Sequence, residues 1–249
     1  MGVAAKIRFA SICMVLAGCG QPPHRGSPSP LPSPSSPSGP KTSPAPAPIS
    51  RERACAIGDP SACQRLAFDH GDRGDKAKSS SFGARTIRLL RSSCDTGDLH
   101  RCTWLGLLYS KGTFVPTDRA RASQLWRQAC DSGFGLACRN LANTVDDSEV
   151  ALWSSLLQRA CELGERTACS SLGEDYAEGY RLKQDLIRAV PLLERACELG
   201  EAASCLLLAR LFREGRGVTK DAASADTLVA RACSLVPTIL QSCPGHRLR

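Results

Sequence analysis

Residues 94–102 read Cys94-Asp95-Thr96-Gly97-Asp98-Leu99-His100-Arg101-Cys102, two cysteines eight apart with a glycine three residues after the first. The spacing returns at Cys55, Gly58 and Cys63, at Cys130, Gly133 and Cys138, at Cys161, Gly164 and Cys169, and at Cys197, Gly200 and Cys205. Five copies of C-x-x-G-x-x-x-x-C within residues 55–205 constitute an internal repeat. The first cysteine closes one helix, and the glycine takes the left-handed position that ends it. The second cysteine opens the next helix. In the first copy Gly58-Asp59-Pro60 reads as helix stop, N-cap and proline at the first helical position. Two sulfurs then face each other across a tight turn between helices, and a bridge fits if the Cα atoms lie within about 4.4–6.8 Å. Each bridge closes a nine-residue loop, worth about 2–3 kcal/mol in a loop-entropy model.

Starts of successive pairs are 39, 36, 31, 36 and 36 residues apart, counting Cys233 as the start of a sixth. A period in this range marks a solenoid of helix pairs. Between the cysteines, Cys102 to Gly112 is a first helix ending in glycine. Thr117 or Asp118 then caps a second, running through Ala122, Leu125, Trp126 and Ala129 to Cys130. Leu172-Gly173 and Leu208-Ala209 match Leu105-Gly106; Tyr176 and Phe212 match Tyr109; Gly179 and Gly215 match Gly112. The small residue after leucine admits the partner helix, and the ring fills the space between layers. The 31-residue unit is expected to have a shortened loop, and the 39-residue unit an extra polar stretch around Asp72 to Ser81. Pro191 should kink or delay the helix that leads to Cys197.

The fold class is therefore all-α, a solenoid of antiparallel helix pairs with one disulfide per repeat: Cys55–Cys63, Cys94–Cys102, Cys130–Cys138, Cys161–Cys169, Cys197–Cys205, and Cys233 with Cys243. The last pair is ten apart, with Val236-Pro237 where the glycine should be, and reads as a C-terminal cap near 233–249 whose pairing stays open. Aromatics are 5% of the chain. That suits thin helical layers built from alanine and leucine.

The front of the chain reads as an address and a spacer. Residues 1–18 carry Lys6 and Arg8 and then an apolar run from Phe9 to Ala17, too short to span a bilayer, as in a secretory signal. Leu16-Ala17-Gly18-Cys19 fits a bacterial lipobox, which makes Cys19 the lipidation site. Residues 19–49 are rich in proline and serine and form a tether that cannot bury enough surface to fold. Ser38-Gly39-Pro40-Lys41 fits S-x-x-K, but that motif needs a helix and a buried site. The repeat domain spans 50–249. The protein is expected to be secreted across the inner membrane and lipid-anchored, in the periplasm or at the outer membrane or cell surface.

Net charge is +8, of which the first fifty residues, without a single acid, supply +4. Charges of both signs are interspersed beyond them, so there is no nucleic-acid footprint. No C-x-x-C occurs, and His24, His70, His100 and His246 are scattered, so no metal site and no cofactor is assigned.

Leu105 to Cys138 carries a run of Leu-Gly, Tyr, Gly, Asp and a helix-ending Ala. This pattern resembles the Sel-one-like repeat family, a relative of the tetratricopeptide repeats, and the added cysteine pair resembles its bacterial cysteine-rich Hcp subgroup. The resemblance implies a right-handed superhelix with intrarepeat disulfides and a concave groove that binds peptides or proteins. By analogy the groove presents Thr103 and Leu107, Arg139 and Asn143, Ser170 and Glu174, and Arg210 and Arg213. The function read from this is a monomeric scaffold for an envelope protein or peptide, touching the membrane through its lipid anchor only. The subgroup also implies an alternative, a weak β-lactamase-like, penicillin-binding hydrolase. In the folded part there is no S-x-x-K and no G-x-S-x-G, and no catalytic residue is nominated.

Overall fold

The structure is a computed structural model that describes residues 49–236. The signal, Cys19, the tether and Cys243 lie outside the described residues. Among the described residues eleven α-helices follow one another: α1 (Arg51–Ala56), α2 (Pro60–Asp72), α3 (Lys76–Asp95), α4 (Leu99–Lys111), α5 (Arg119–Asp131), α6 (Gly135–Ala142), α7 (Val150–Glu162), α8 (Arg166–Glu178), α9 (Leu186–Glu198), α10 (Ala202–Glu214) and α11 (Ala222–Leu235). Helices adjacent in sequence pack on each other along the row, as a solenoid requires. Among these residues no helix is long and apolar enough to cross a membrane.

The cysteine bends are one structure repeated. Gly58, Gly97, Gly133, Gly164 and Gly200 all have φ between +85° and +105°. This is the left-handed region that glycine enters without a Cβ clash. Each glycine N–H bonds the carbonyl of the first cysteine, as Gly97 does to Cys94 at 2.9 Å. The next N–H bonds the residue before that cysteine, as Asp98 does to Ser93 at 3.1 Å. These are the paired bonds of a Schellman stop. The residue after the glycine is at once the end of one helix and the N-cap of the next: Asp59, Asp98, Phe134, Glu165 and Glu201. Asp59 and Asp98 also cap with their carboxylates, onto Ser61 N at 2.8 Å and Arg101 N at 3.0 Å. So short a bend brings the two cysteines together. Five disulfides form, Cys55–Cys63, Cys94–Cys102, Cys130–Cys138, Cys161–Cys169 and Cys197–Cys205, with Cα atoms 4.6–4.8 Å apart. Cys233 is disulfide-bonded as well.

The turn inside three of the pairs, α4–α5, α8–α9 and α10–α11, is equally regular. Gly112, Gly179 and Gly215 end α4, α8 and α10 in the left-handed conformation. Six residues on, Asp118, Asp185 and Asp221 send their N–H back to the carbonyls of Tyr109, Tyr176 and Phe212 at 2.9, 2.8 and 3.0 Å. Their carboxylates then cap the next helix. The N-cap of α5 is therefore Asp118; Thr117 packs its hydroxyl against Gly112. The Ser224 hydroxyl and the backbone N–H groups of Ser224 and Ala223 hold the Asp221 carboxyl below the usual carboxylate range.

Differences in repeat length fall on the helices, and in the α2–α3 pair on the connection too, which is only residues 73–75. In the 31-residue unit the connection 143–149 is as long as 112–118 and 179–185, and it is α6 that shrinks, to 8 residues from the 13 of α4 and α8. The expected short loop is thus a short helix. In the 39-residue unit the polar residues after Gly74 join α3, which reaches 20 residues. Asp75, with its carboxylate on Lys78 N at 3.0 Å, starts that helix early. Pro191 does not delay α9, which begins at Leu186. The proline stands on the exposed face one turn after Ile187, which is 83% exposed. The carbonyl that loses its helical donor thus belongs to a residue on the water side, where solvent can satisfy it.

The core lies between the layers. Trp126 is buried, and its indole N–H donates to the Thr103 carbonyl at 2.9 Å. It reaches that carbonyl because Gly106 has no side chain; a Cβ there would sit 2.6 Å from Nε1. Arginines on the second helices tie successive repeats together. Arg85 donates to the Cys55 and Ala56 carbonyls, Arg159 to Asp131 and Arg231 to Glu198. These carbonyls sit at helix C-termini, where a cation is favoured.

Gly106→Ala should cost about 1–3 kcal/mol in urea unfolding and shift tryptophan emission, because the ring must leave its carbonyl. Gly173→Ala should cost less, since the nearest atoms opposite, of Leu193 and Leu192, stand at 3.0–3.2 Å, farther than the 2.6 Å of the indole at Gly106. Replacing Cys130 and Cys138 together with serine should remove about 2–3 kcal/mol, read from the urea midpoint and slope.

Candidate functional site

The first helices of the pairs, α4, α6, α8 and α10, carry the nominated groove residues. The structure separates them. Thr103 is 2% exposed, and its hydroxyl bonds back to the Leu99 carbonyl at 2.8 Å. It belongs to the core and not to a groove, because its position on α4 faces the layer that receives Trp126. Leu107 lies one turn on and is 37% exposed. Arg139 pairs with Glu165 at 3.2 Å, joining α6 to the N-cap of α8. Asn143 is exposed at the end of α6 and lines a hollow of ≈ 540 Å³ with Ser110, Arg119 and Thr144. Arg213 turns to the second helix of its own pair and meets Asp226 at 2.9 Å.

Three nominated residues do come together. Ser170, Glu174 and Arg210 line one hollow of ≈ 380 Å³ between α8 and α10, with Glu178, Tyr180 and Ser204. The Ser204 hydroxyl donates to Ser170 Oγ at 2.8 Å and ties the two helices together along one side of the hollow. Arg210 is ion-paired with Glu178. Glu174 is exposed and has no ion-pair partner among the described residues. Tyr180 follows the helix-ending Gly179 and is 74% exposed. The hollow therefore offers a carboxylate, an ion pair that can open, hydroxyls and an aromatic face. Such a set can recognise a polar chain by hydrogen bonds and charge.

Glu178, Tyr180 and Ser204 were not legible as site residues. Their approach depends on the angle between layers, which no spacing encodes. The sequence does contain one signal on α8 itself. Asp175 stands where the aligned copies carry Leu108 and Leu211, and it is 6% exposed. One of its oxygens accepts from Arg181 N at 3.2 Å. Arg181 in turn lies over the Trp153 ring at 4.9 Å and pairs with Asp147. The loop after α8 thus reaches back to α7 and to the connection that follows the shortened α6. His70 and His100 serve the fold. His70 occupies the ring position of Tyr109 in the first pair and stacks on Phe82, centroids 5.5 Å apart, while His100 meets Phe134 edge-on at 6.2 Å.

A second depression, ≈ 590 Å³, opens on the other helices, between α7 and α9, lined by Gln158, Tyr176, Ile187, Arg188 and Pro191.

The Sel1 repeat family matches residues 102–134, 167–201 and 202–234. The matched segments each take in a seven-residue turn and the helices beside it; the unmatched stretch 135–166 holds the shortened α6. No curated protein matches the chain. Among solved structures, a Sel1 repeat protein from Oxalobacter formigenes is 22% identical over 72% of this chain and 74% of its own, with a TM-score of 0.56. A protective antigen of uropathogenic Escherichia coli with an SLR fold is 16% identical over 74% of this chain, which spans 48% of that protein, with a TM-score of 0.55. Helicobacter pylori cysteine-rich protein B is 29% identical over 48% of this chain and 89% of its own, with a TM-score of 0.39. The chain thus carries three Sel1 repeats, and its fold is that of the solved Sel1 repeat protein from Oxalobacter formigenes.

Proposed function

We propose that this chain is a lipid-anchored binding scaffold of the cell envelope that holds an extended segment of another protein across the first-helix face between α8 and α10. The observation that carries this is the convergence of Ser170, Glu174 and Arg210 with Glu178, Tyr180 and Ser204 in one hollow. A stack of helix pairs presents a long surface to a partner without needing a deep pocket. Disulfides that close five consecutive bends suit an oxidising compartment. The signal-like residues 1–18, Cys19 and the tether to residue 49 supply the route and the attachment in this reading.

A photo-crosslinking residue at Tyr180 should capture a discrete partner in intact envelopes, while one at Arg127 on α5 should not. Glu174→Lys should abolish that capture with the melting curve unchanged. Equal capture from both positions, or capture that survives Glu174→Lys, contradicts the groove assignment. Cys19→Ser should move the protein from the membrane fraction to the soluble one; retention in the membrane fraction contradicts the anchor.

A further inference from the structure

Arginines recur on α3 at positions 85, 88 and 91. Arg85 is used by the fold, on the Cys55 and Ala56 carbonyls. Arg91 reaches to α4 instead and donates to the Tyr109 hydroxyl at 2.8 Å. From the first turn of α5, Arg121 lies over the same ring, its guanidinium carbon 4.9 Å from the centroid. The tyrosine itself is buried, at 5% exposure, while both arginines are exposed. Two guanidiniums therefore meet on one phenol. Among the described residues no carboxylate lies within ion-pair distance of either, nor of the exposed Arg88 one turn away on α3. Asp118, the nearest acid along α5, is occupied as the N-cap, accepting from Arg121 N at 2.9 Å.

The repeat supplies its own controls. In the next frame with a tyrosine, Tyr176, one arginine takes both stations: Arg188 lies 5.7 Å over the ring and 3.3 Å from the hydroxyl. Asp185 neutralises it at 3.2 Å. The position of Arg91, three residues before the first cysteine of the bend, is held there by Gln158. In the last frame the ring is Phe212, the Arg91 position is Glu194 and the Arg121 position is Ser224. One scaffold position thus carries two clustered cations, a neutral pair, or an anion, and all three pack. The fold does not demand Arg91 and Arg121 together, and like charges held on one ring repel unless something answers them.

We propose that Arg91 and Arg121, placed by Tyr109 and assisted by Arg88, form a binding site for a phosphate group. Guanidiniums offer planar paired donors that match phosphate oxygens, and a backing ring keeps them ordered while empty. The site lies on the second-helix side, on elements other than those of the α8–α10 hollow, and it stands or falls separately from the scaffold reading.

The test uses the mature chain with inorganic phosphate, chloride at matched ionic strength, and vesicles of phosphatidylglycerol in phosphatidylethanolamine. Phosphate should shift the guanidinium resonances of Arg91 and Arg121 saturably, and chloride should not. R91Q and R121S take the residues that the sister frames carry, so the fold has precedent for both. Each should weaken phosphate binding by about tenfold or more, with the melting curve retained. Vesicle binding that phosphate displaces identifies a lipid headgroup as the source; phosphate binding without vesicle binding identifies a soluble phosphate ester. Shifts no larger than those with chloride, or undiminished in the R91Q/R121S double variant, overturn the proposal.

Discussion

Every helix pair in this protein depends on a cysteine whose two ends do different things. Its carbonyl accepts the N–H of a left-handed glycine and so stops one helix, while its sulfur crosses to the opening turn of the next. The backbone bond sets the direction of the chain and the covalent bond keeps it. A bend only three residues long between helices leaves little freedom for either. With that corner locked, a layer needs only alanine, leucine and one ring to pack. The disulfides thus stand in for the large apolar interior that a thin solenoid cannot have.

The second recurring constraint is weaker and purely polar. An aspartate N–H returns to the carbonyl of an aromatic residue, and the same aspartate caps the following helix. A seven-residue connection satisfied in this way does not easily lose or gain a residue. A helix can lose a turn without breaking its remaining bonds. The connections at 112–118, 179–185 and 215–221 share this bond and one length, while α6 shortens beside a connection of the same length that lacks the bond, and α3 lengthens as its own connection contracts to residues 73–75. The cost appears at the neighbouring layer, where Asp175 replaces a core leucine and the Arg181 loop fills in.

Because bends and turns carry the fold, the outward positions are free to differ between copies. On the first-helix side, Leu107, Asn143, Glu174 and Arg210 occupy one register and share no chemistry. On the other side, the station that holds Arg91 beside Tyr109 is Arg127 in the next copy, then Gln158 and then Glu194. A repeat fold supplies the frame, and function is written in the side chains the frame does not need. Variation at fixed register is therefore the place to look for binding chemistry in this chain.

The cysteine-glycine spacing and the Tyr-Gly-Asp run were enough to read the helices, the bends and the solenoid, since each depends on residues within a few positions of one another. Cys102, Gly97 and Asp98 meet because the chain between them is too short to do otherwise. Side-chain direction was another matter. Thr103 looked like a groove residue but is buried under Trp126, whereas Tyr180 and Ser204 line the hollow without any mark in the sequence. The meeting of Arg91 and Arg121 on Tyr109, thirty residues apart along the chain, is likewise a property of stacked layers. Local hydrogen bonds and short loops are encoded in neighbouring residues. Which faces meet depends on the rotation between one layer and the next, and that is settled only when the layers pack.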